Sequence, residues 1–143
     1  MKIIEATAPT RKQVESLLRS QQLPADDLPV SLRGFYVAIE NNEVVGVIGM
    51  EAYEEYGLLR SMVVHPQFRN RHIAQALIQT LEQAARKIGI TSMFLLTETA
   101  EGYFARKGYQ KTGRDDVPLP LLASSEFNHV CPASATVMMK SLA

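Results

Sequence analysis

Two hydrophobic periods alternate along this chain, one near two residues and one near 3.6. Val14, Leu17 and Leu18 share one face of a helix that Thr10 can cap and Pro24 ends, and they follow a short strand over Lys2–Glu5. Phe35–Glu40 and residues 44–52 are β-rich, and Asn41-Asn42-Glu43 between them predicts a tight hairpin. A second turn falls at Glu54, Glu55, Tyr56 and Gly57, so the next strand is expected over 58–65. The clearest helical stripe follows: Ile73, Leu77, Leu81, Ala84, Ala85 and Ile88 line one side, and Gly89 is placed to end it. Beyond it the pattern predicts a nearly continuous apolar strand at 91–97, a short helix at 100–107, a strand at 109–113 and a last strand at 135–139. Residues 24–34, with Asp26, Asp27 and Pro29, read as a loop or short helix, and 114–134 as a long polar connection of the kind more often functional than idle. The order is β-α-(α)-β-β-β-α-β-α-β-β, an α/β (α+β) arrangement without internal repeats.

The 143 residues suit a single domain over 1–143, and 46% hydrophobic residues supply a sizeable core. Fifteen basic and fifteen acidic residues cancel, and no basic run is interleaved with aromatics, which points away from nucleic acid. No apolar run reaches membrane-spanning length and no signal peptide is visible, so a cytoplasmic setting is the default expectation, with no membrane partner. The remaining partners are small molecules or a second copy of the chain, as a homodimer. The single Cys131 excludes an internal disulfide. His65, His72 and His129 lack metal-ligand spacing, so no metal is expected.

Residues 62–77 carry the chemistry. They read MVVHPQFRNRHIAQAL: an apolar strand, a proline, a basic loop and the start of the amphipathic helix. A helix start exposes unpaired backbone N–H groups and the positive end of the helix dipole, so a loop wrapped around it can hold a pyrophosphate, with Arg69 and Arg71 close by. The segment resembles the cofactor signature V-x-P-x-x-R/Q-x-x-G-x-G/A of the GNAT acetyltransferase superfamily. Val64, Pro66, Arg69, Ile73 and Ala74 fit it, whereas Asn70 stands where Gly is frequent and His72 where the signature Gly sits. Asn and His accept positive φ better than most residues with a side chain, so the loop can close, although a Cβ at position 72 narrows the approach to phosphate. The plain alternative is a strand, basic turn and helix with no ligand.

Three further stretches, LLRSMVVHP, LLTETAEGYFARKGY and EFNHVCPASATVMM, are similar to the arsenic-resistance N-acetyltransferase group, itself similar to the acetyltransferase domain of N-acetylglutamate synthase. The resemblance implies the GNAT acyl-CoA N-acyltransferase fold: a mixed sheet flanked by helices, whose central strands, here 58–65 and 91–97, splay to admit the pantetheine arm of acetyl-CoA. It implies that backbone amides around Met62, Val63 and Val64 pair with the acetyl and pantetheine carbonyls, and that Arg69, Asn70, Arg71, His72, Ile73 and Ala74 surround the pyrophosphate. It further implies acetyl transfer to the amine of a small amino-acid-like acceptor, on a side commonly covered by a segment like 24–34.

Strand alternation puts Leu58, Arg60, Met62 and Val64 on one face, and in this fold the positions of Leu58 and Arg60 face the acceptor. A planar guanidinium there suits a carboxylate or arsonate-like oxyanion; a structural ion pair with Glu51 or Glu54 is the other reading. Glu51 and Glu98 are the candidate bases, directly or through water, although carboxylates so placed are often only solvated or paired. The superfamily pattern F-Y-x-x-x-G-F supplies a Tyr to the leaving thiolate. Here Phe104 fills that position, and Tyr103 points about 100° around the helix from it. Cys131 stands alone, whereas trivalent arsenic prefers two or three thiolates, so a small buried residue before Pro132 is the simpler reading. His72 and Phe104 keep a second function open: a catalytically degenerate domain serving as an acyl-CoA-binding sensor or structural subunit.

Overall fold

The computed structural model describes residues 1–124, 127 and 134–143. In chain order the elements are β1 (Lys2–Glu5), α1 (Arg11–Ser20), β2 (Phe35–Glu40), β3 (Glu43–Tyr53), β4 (Tyr56–Val64), α2 (Ile73–Lys87), β5 (Ser92–Thr97), α3 (Glu101–Arg106), β6 (Gln110–Lys111), α4 (Leu119–Leu122) and β7 (Thr136–Ser141). The strands form a mixed sheet of seven in the order β1-β2-β3-β4-β5-β7-β6. Strands β4 and β5 pair parallel, while the pairs β1–β2, β2–β3, β5–β7 and β6–β7 are antiparallel. Among the described residues no helix is long and apolar enough to cross a membrane. The chain divides into two compact units, residues 1–50 with 60–84 and residues 51–59 with 85–143.

In the first unit, Val14, Leu17 and Leu18 of α1 are buried against Phe35, Val37, Val47 and Val63. Thr10 precedes α1 as expected but makes no cap; its hydroxyl accepts from the Thr7 N–H at 3.0 Å and donates to the Thr7 carbonyl at 2.8 Å, closing the preceding turn. The β2–β3 hairpin turns on Asn41 and Asn42, with φ of 53° and 66°, the two left-handed residues that match strand twist. Glu43 is therefore already in β3. Two glycines of β3 accept close neighbours. A Cβ on Gly49 would fall 2.3 Å from the Phe35 ring, and one on Gly46 would fall 3.1 Å from Leu77 Cδ1 and 3.3 Å from Ile73 Cγ2. Gly46 thus seats the first turns of α2. Residues 24–34 form turns and loop, not a helix, with Ala25, Leu28 and Leu32 buried.

In the second unit, β4 pairs with β5 from Tyr56↔Ser92 to Leu58↔Phe94, so the strand starts two residues earlier than the turn-forming composition predicts. The turn needs only Glu54, with φ of 59°, and Glu55. Strands β5 and β7 pair along their whole length, Ser92↔Ser141 to Thr97↔Thr136. Strand β6 is two residues long, shorter than the predicted 109–113; ahead of it the Tyr109 N–H closes the end of α3 on the Phe104 carbonyl at 3.0 Å. In the described part of the 114–134 connection, Val117, just after a short helical turn, and Leu121 of α4 pack with Leu58, Phe94 and Val137. Ile88 does not join the buried stripe and is 64% exposed. Helix α2 ends at Lys87, Gly89 takes φ of 89°, and the Ile90 N–H reaches back to the Ala85 carbonyl at 3.0 Å while Gly89 N–H meets Arg86 at 3.1 Å. In this termination the residue after the glycine carries the apolar contact, so Ile90 is buried in place of Ile88.

Candidate active site

Strand β4 contains a residue that two-residue alternation cannot accommodate. Ser61 has φ of 59°, a left-handed conformation unusual for a residue with a Cβ inside a strand. An interruption of this kind offsets the side chains that follow it. Leu58, Arg60, Met62 and Val64 therefore do not form the single face that alternation predicts, and Val63 and Val64 are both buried in succession.

The segment after β4 builds the loop. His65 N–H donates to the Val45 carbonyl at 2.7 Å, and His65 Nδ1 accepts from Gln67 N–H at 3.1 Å, fixing a single turn at Pro66–Phe68. Arg69 is extended, Asn70 has φ of 65° and His72 has φ of 62°. The two positions that depart from glycine thus both take the backbone conformation glycine supplies. The His72 carbonyl accepts from Ala76 N–H at 3.1 Å, so α2 starts immediately afterwards, and the amides of Ile73 and Ala74 have no intrahelical acceptor. Arg71 and His72 are exposed, with the Arg71 guanidinium 5.1 Å from the Phe68 ring centroid. Arg69 is occupied differently: Nε donates to the Val64 carbonyl at 3.2 Å and Nη2 to Gln21 Oε1 at 2.9 Å. A helix start wrapped by two left-handed residues, with a cation at its rim, fits a pyrophosphate.

Arg60 is buried, its side chain 1% exposed. Its Nη2 donates to Asp27 Oδ1 at 2.7 Å, Nη1 to the Asp27 carbonyl at 3.5 Å and Nε to Ser61 Oγ at 3.0 Å, and the guanidinium lies 5.8 Å from the Phe35 ring centroid. The ion-pair reading of the sequence looked to Glu51 and Glu54; it missed Asp27. The signal available was indirect. A buried guanidinium demands an anion, and residues 24–34 held one 33 positions away.

Met62, Val63, Val64 and the loop residues Arg69, Asn70, Arg71, His72, Ile73 and Ala74 fall in the first unit with Arg60, whereas Glu51 and Glu98 fall in the second. Glu51 is half-buried and accepts a hydrogen bond from the Tyr53 hydroxyl. Glu98 is exposed in the bend after β5, where Thr97 Oγ1 accepts from Ala100 N–H at 3.0 Å ahead of α3. Phe104 is buried edge-to-face against Tyr109 with ring centroids 5.6 Å apart. Tyr103 is half-buried beside Lys107; burial raises its phenol above the usual value, with Arg106 opposing the shift. Among the described residues no group of three His, Cys, Asp or Glu is placed to hold a metal ion. Cys131, Pro132 and His129 lie outside the described residues.

Residues 31–111 match the family described as an acetyltransferase (GNAT) domain. An uncharacterised N-acetyltransferase of Chlorobaculum tepidum is 30% identical over 88 residues, 61% of this chain and 56% of that protein. An amino-acid acetyltransferase of Mannheimia succiniciproducens is 21% identical over 118 residues, 81% of this chain and 26% of that one. The chain therefore spans from about a quarter to somewhat over half the length of these curated relatives. The solved structure of Neisseria gonorrhoeae N-acetylglutamate synthase, complexed with coenzyme A and N-acetyl-glutamate, matches with a TM-score of 0.84 at 18% identity, over 99% of this chain and 35% of that one. An acetyltransferase of the GNAT family from Staphylococcus aureus Mu50 matches with a TM-score of 0.80 at 20% identity, over 99% of both chains. These structural likenesses show the fold, which is the one the loop signature implies.

Proposed function

The chain belongs to the acetyltransferase (GNAT) family, and on that premise we propose that it is an acetyl-CoA-dependent N-acetyltransferase acting on the amine of a small amino-acid-like acceptor. The observation that carries the reading is the pair of left-handed residues, Asn70 and His72, at the start of α2. On this reading the amides of Ile73 and Ala74, with Arg69, Asn70, Arg71 and His72, enclose the pyrophosphate. Amides at Met62, Val63 and Val64 pair with the pantetheine and acetyl carbonyls and stabilise the oxyanion that forms when the amine attacks. Glu51 or Glu98 takes the amine proton. The acceptor class rests on the relatives: one is an amino-acid acetyltransferase and one structural neighbour holds N-acetyl-glutamate.

Arg60 belongs to the acceptor side in this assignment, but its charge is already met by Asp27. An acceptor carboxylate would reach Arg60 only by exchanging with Asp27. On the same reading residues 1–143 work as one acetyltransferase domain in the cytoplasm, on small molecules alone and without a metal, as a monomer or homodimer.

Calorimetry with acetyl-CoA and CoA, followed by thiol-release assays across amino acids, tests the proposal. Binding heat with CoA released only when an amine is added is the expected result; no heat at millimolar ligand overturns it. The buried Phe104, which has no hydroxyl to offer a thiolate, favours a second reading. Binding without turnover on any amine identifies the domain as an acyl-CoA sensor or structural subunit.

A further inference from the structure

Arg60 makes two side-chain contacts of different kinds. It grips a carboxylate in the connection between α1 and β2, and it grips the hydroxyl of the neighbouring residue in its own strand, the one in a left-handed conformation. A left-handed residue with a Cβ persists only where its surroundings over-determine it. Beside Ser61, Arg60 Nε donates to Oγ, and Arg60 is itself held by Asp27 and lies near the Phe35 ring. The residues that follow Ser61 are Met62, Val63 and Val64, whose carbonyl and amide edge leads into the loop; the Val64 carbonyl is also where Arg69 docks.

We propose that Arg60 is a positioning residue: held by Asp27, it locks Ser61 in the left-handed conformation and thereby sets the Met62–Val64 edge and the loop that follows. The part concerning coenzyme A rests on the proposed function; the part concerning the strand does not. Ser61 adds no chemistry to the transfer. Its hydroxyl serves as the handle by which the guanidinium fixes the backbone. A clamp on the acceptor carboxylate makes the opposite prediction for Asp27: freeing the guanidinium by Asp27→Asn would tighten acceptor binding, whereas loss of a positioning contact loosens CoA binding as well.

The test compares Ser61→Ala with Ser61→Gly. Alanine removes the handle and keeps the backbone penalty, while glycine removes the handle and the penalty together. CoA titrated by calorimetry is expected to bind Ser61→Gly roughly five-fold more tightly than Ser61→Ala, and Ser61→Gly added to Arg60→Met is expected to recover a similar factor. If Arg60→Met fails to fold, Asp27→Asn decides: faster amide exchange at residues 62–64 that added Ser61→Gly reverses supports the inference, and exchange equal to the native protein overturns it. Equal affinity of the two Ser61 variants, or tighter binding by Ser61→Ala, overturns the inference. Amide hydrogen exchange without ligand decides the strand part should the native protein bind no CoA. Faster exchange in Ser61→Ala at residues 62–64, with β1 unchanged, supports it, and exchange equal to the native protein, or raised uniformly, overturns it.

Discussion

Arg69 Nη2 donates to Gln21 Oε1 at 2.9 Å, so a side chain of the loop before α2 is tied to the end of α1. With its Nε on the Val64 carbonyl, Arg69 braces the loop as well as charging it. Arg69→Ala is therefore expected to lower unfolding stability by about 1 kcal/mol, and to weaken CoA and a CoA fragment lacking phosphates alike. Arg71, exposed and set over Phe68, carries no such brace among its described contacts. Arg71→Ala should leave stability nearly unchanged and weaken only the phosphate-bearing ligand. Urea denaturation and calorimetry on both variants check the contrast.

The left-handed residues of the loop give a second expectation. Replacing Asn70 or His72 by glycine removes a backbone cost of about 1 kcal/mol and, at 72, the Cβ that would narrow the proposed phosphate site. Both variants should melt no lower than the native protein, with His72→Gly binding CoA more tightly. His72→Val, β-branched at positive φ, should lose both stability and affinity. A melting curve and a CoA titration for each variant are sufficient.

Gly49 and Gly46 sit in the same strand and should respond differently. A Cβ at Gly49 enters the buried Phe35 ring at 2.3 Å, so Gly49→Ala is expected to cost roughly 2 kcal/mol or more. At Gly46 the nearest atoms are Leu77 Cδ1 and Ile73 Cγ2, at 3.1 and 3.3 Å, which need to give by only a few tenths of an ångström. Gly46→Ala should be the milder substitution in chemical denaturation.

Stability should fall at alkaline pH for a reason located in two phenols. Burial raises Tyr36, and the Glu5 carboxylate across the β1–β2 pair adds to the shift; burial also raises Tyr103 against the opposing Arg106. A phenol raised in the folded state keeps its proton longer there than in the unfolded chain. Its contribution is complete below the ordinary value of about 10 and is lost as pH rises through the folded value. Tyr36→Phe and Tyr103→Phe should each flatten the decline in denaturation midpoint above that pH.

The parts of the fold read correctly from sequence are those where one local rule suffices. Val14, Leu17 and Leu18 repeat at helical spacing and are buried, Asn41-Asn42 supplies its own left-handed turn, and Gly89 ends α2. Asn70 and His72 also take the positive φ that their residue types tolerate. Errors arise where a distant partner decides. Val117 and Leu121 find apolar neighbours across their unit, and Asp27 meets Arg60 across 33 positions; the Thr10 hydroxyl is a local exception, turning back to Thr7 in place of capping α1. Ser61 was the least legible, since a serine in a run of apolar strand residues gives no sign of a left-handed backbone.

The pairing of Arg60 with Asp27 changes what Arg60 presents beyond its own surroundings. Opposite charges 2.7 Å apart form a dipole, whose field falls with distance far more steeply than that of a lone cation. In a chain with formal net charge zero, Arg60 therefore supplies no long-range pull on an approaching anion. Encounter rates with anionic ligands should depend on ionic strength through exposed cations such as Arg71, and Arg60 should act only after contact is made.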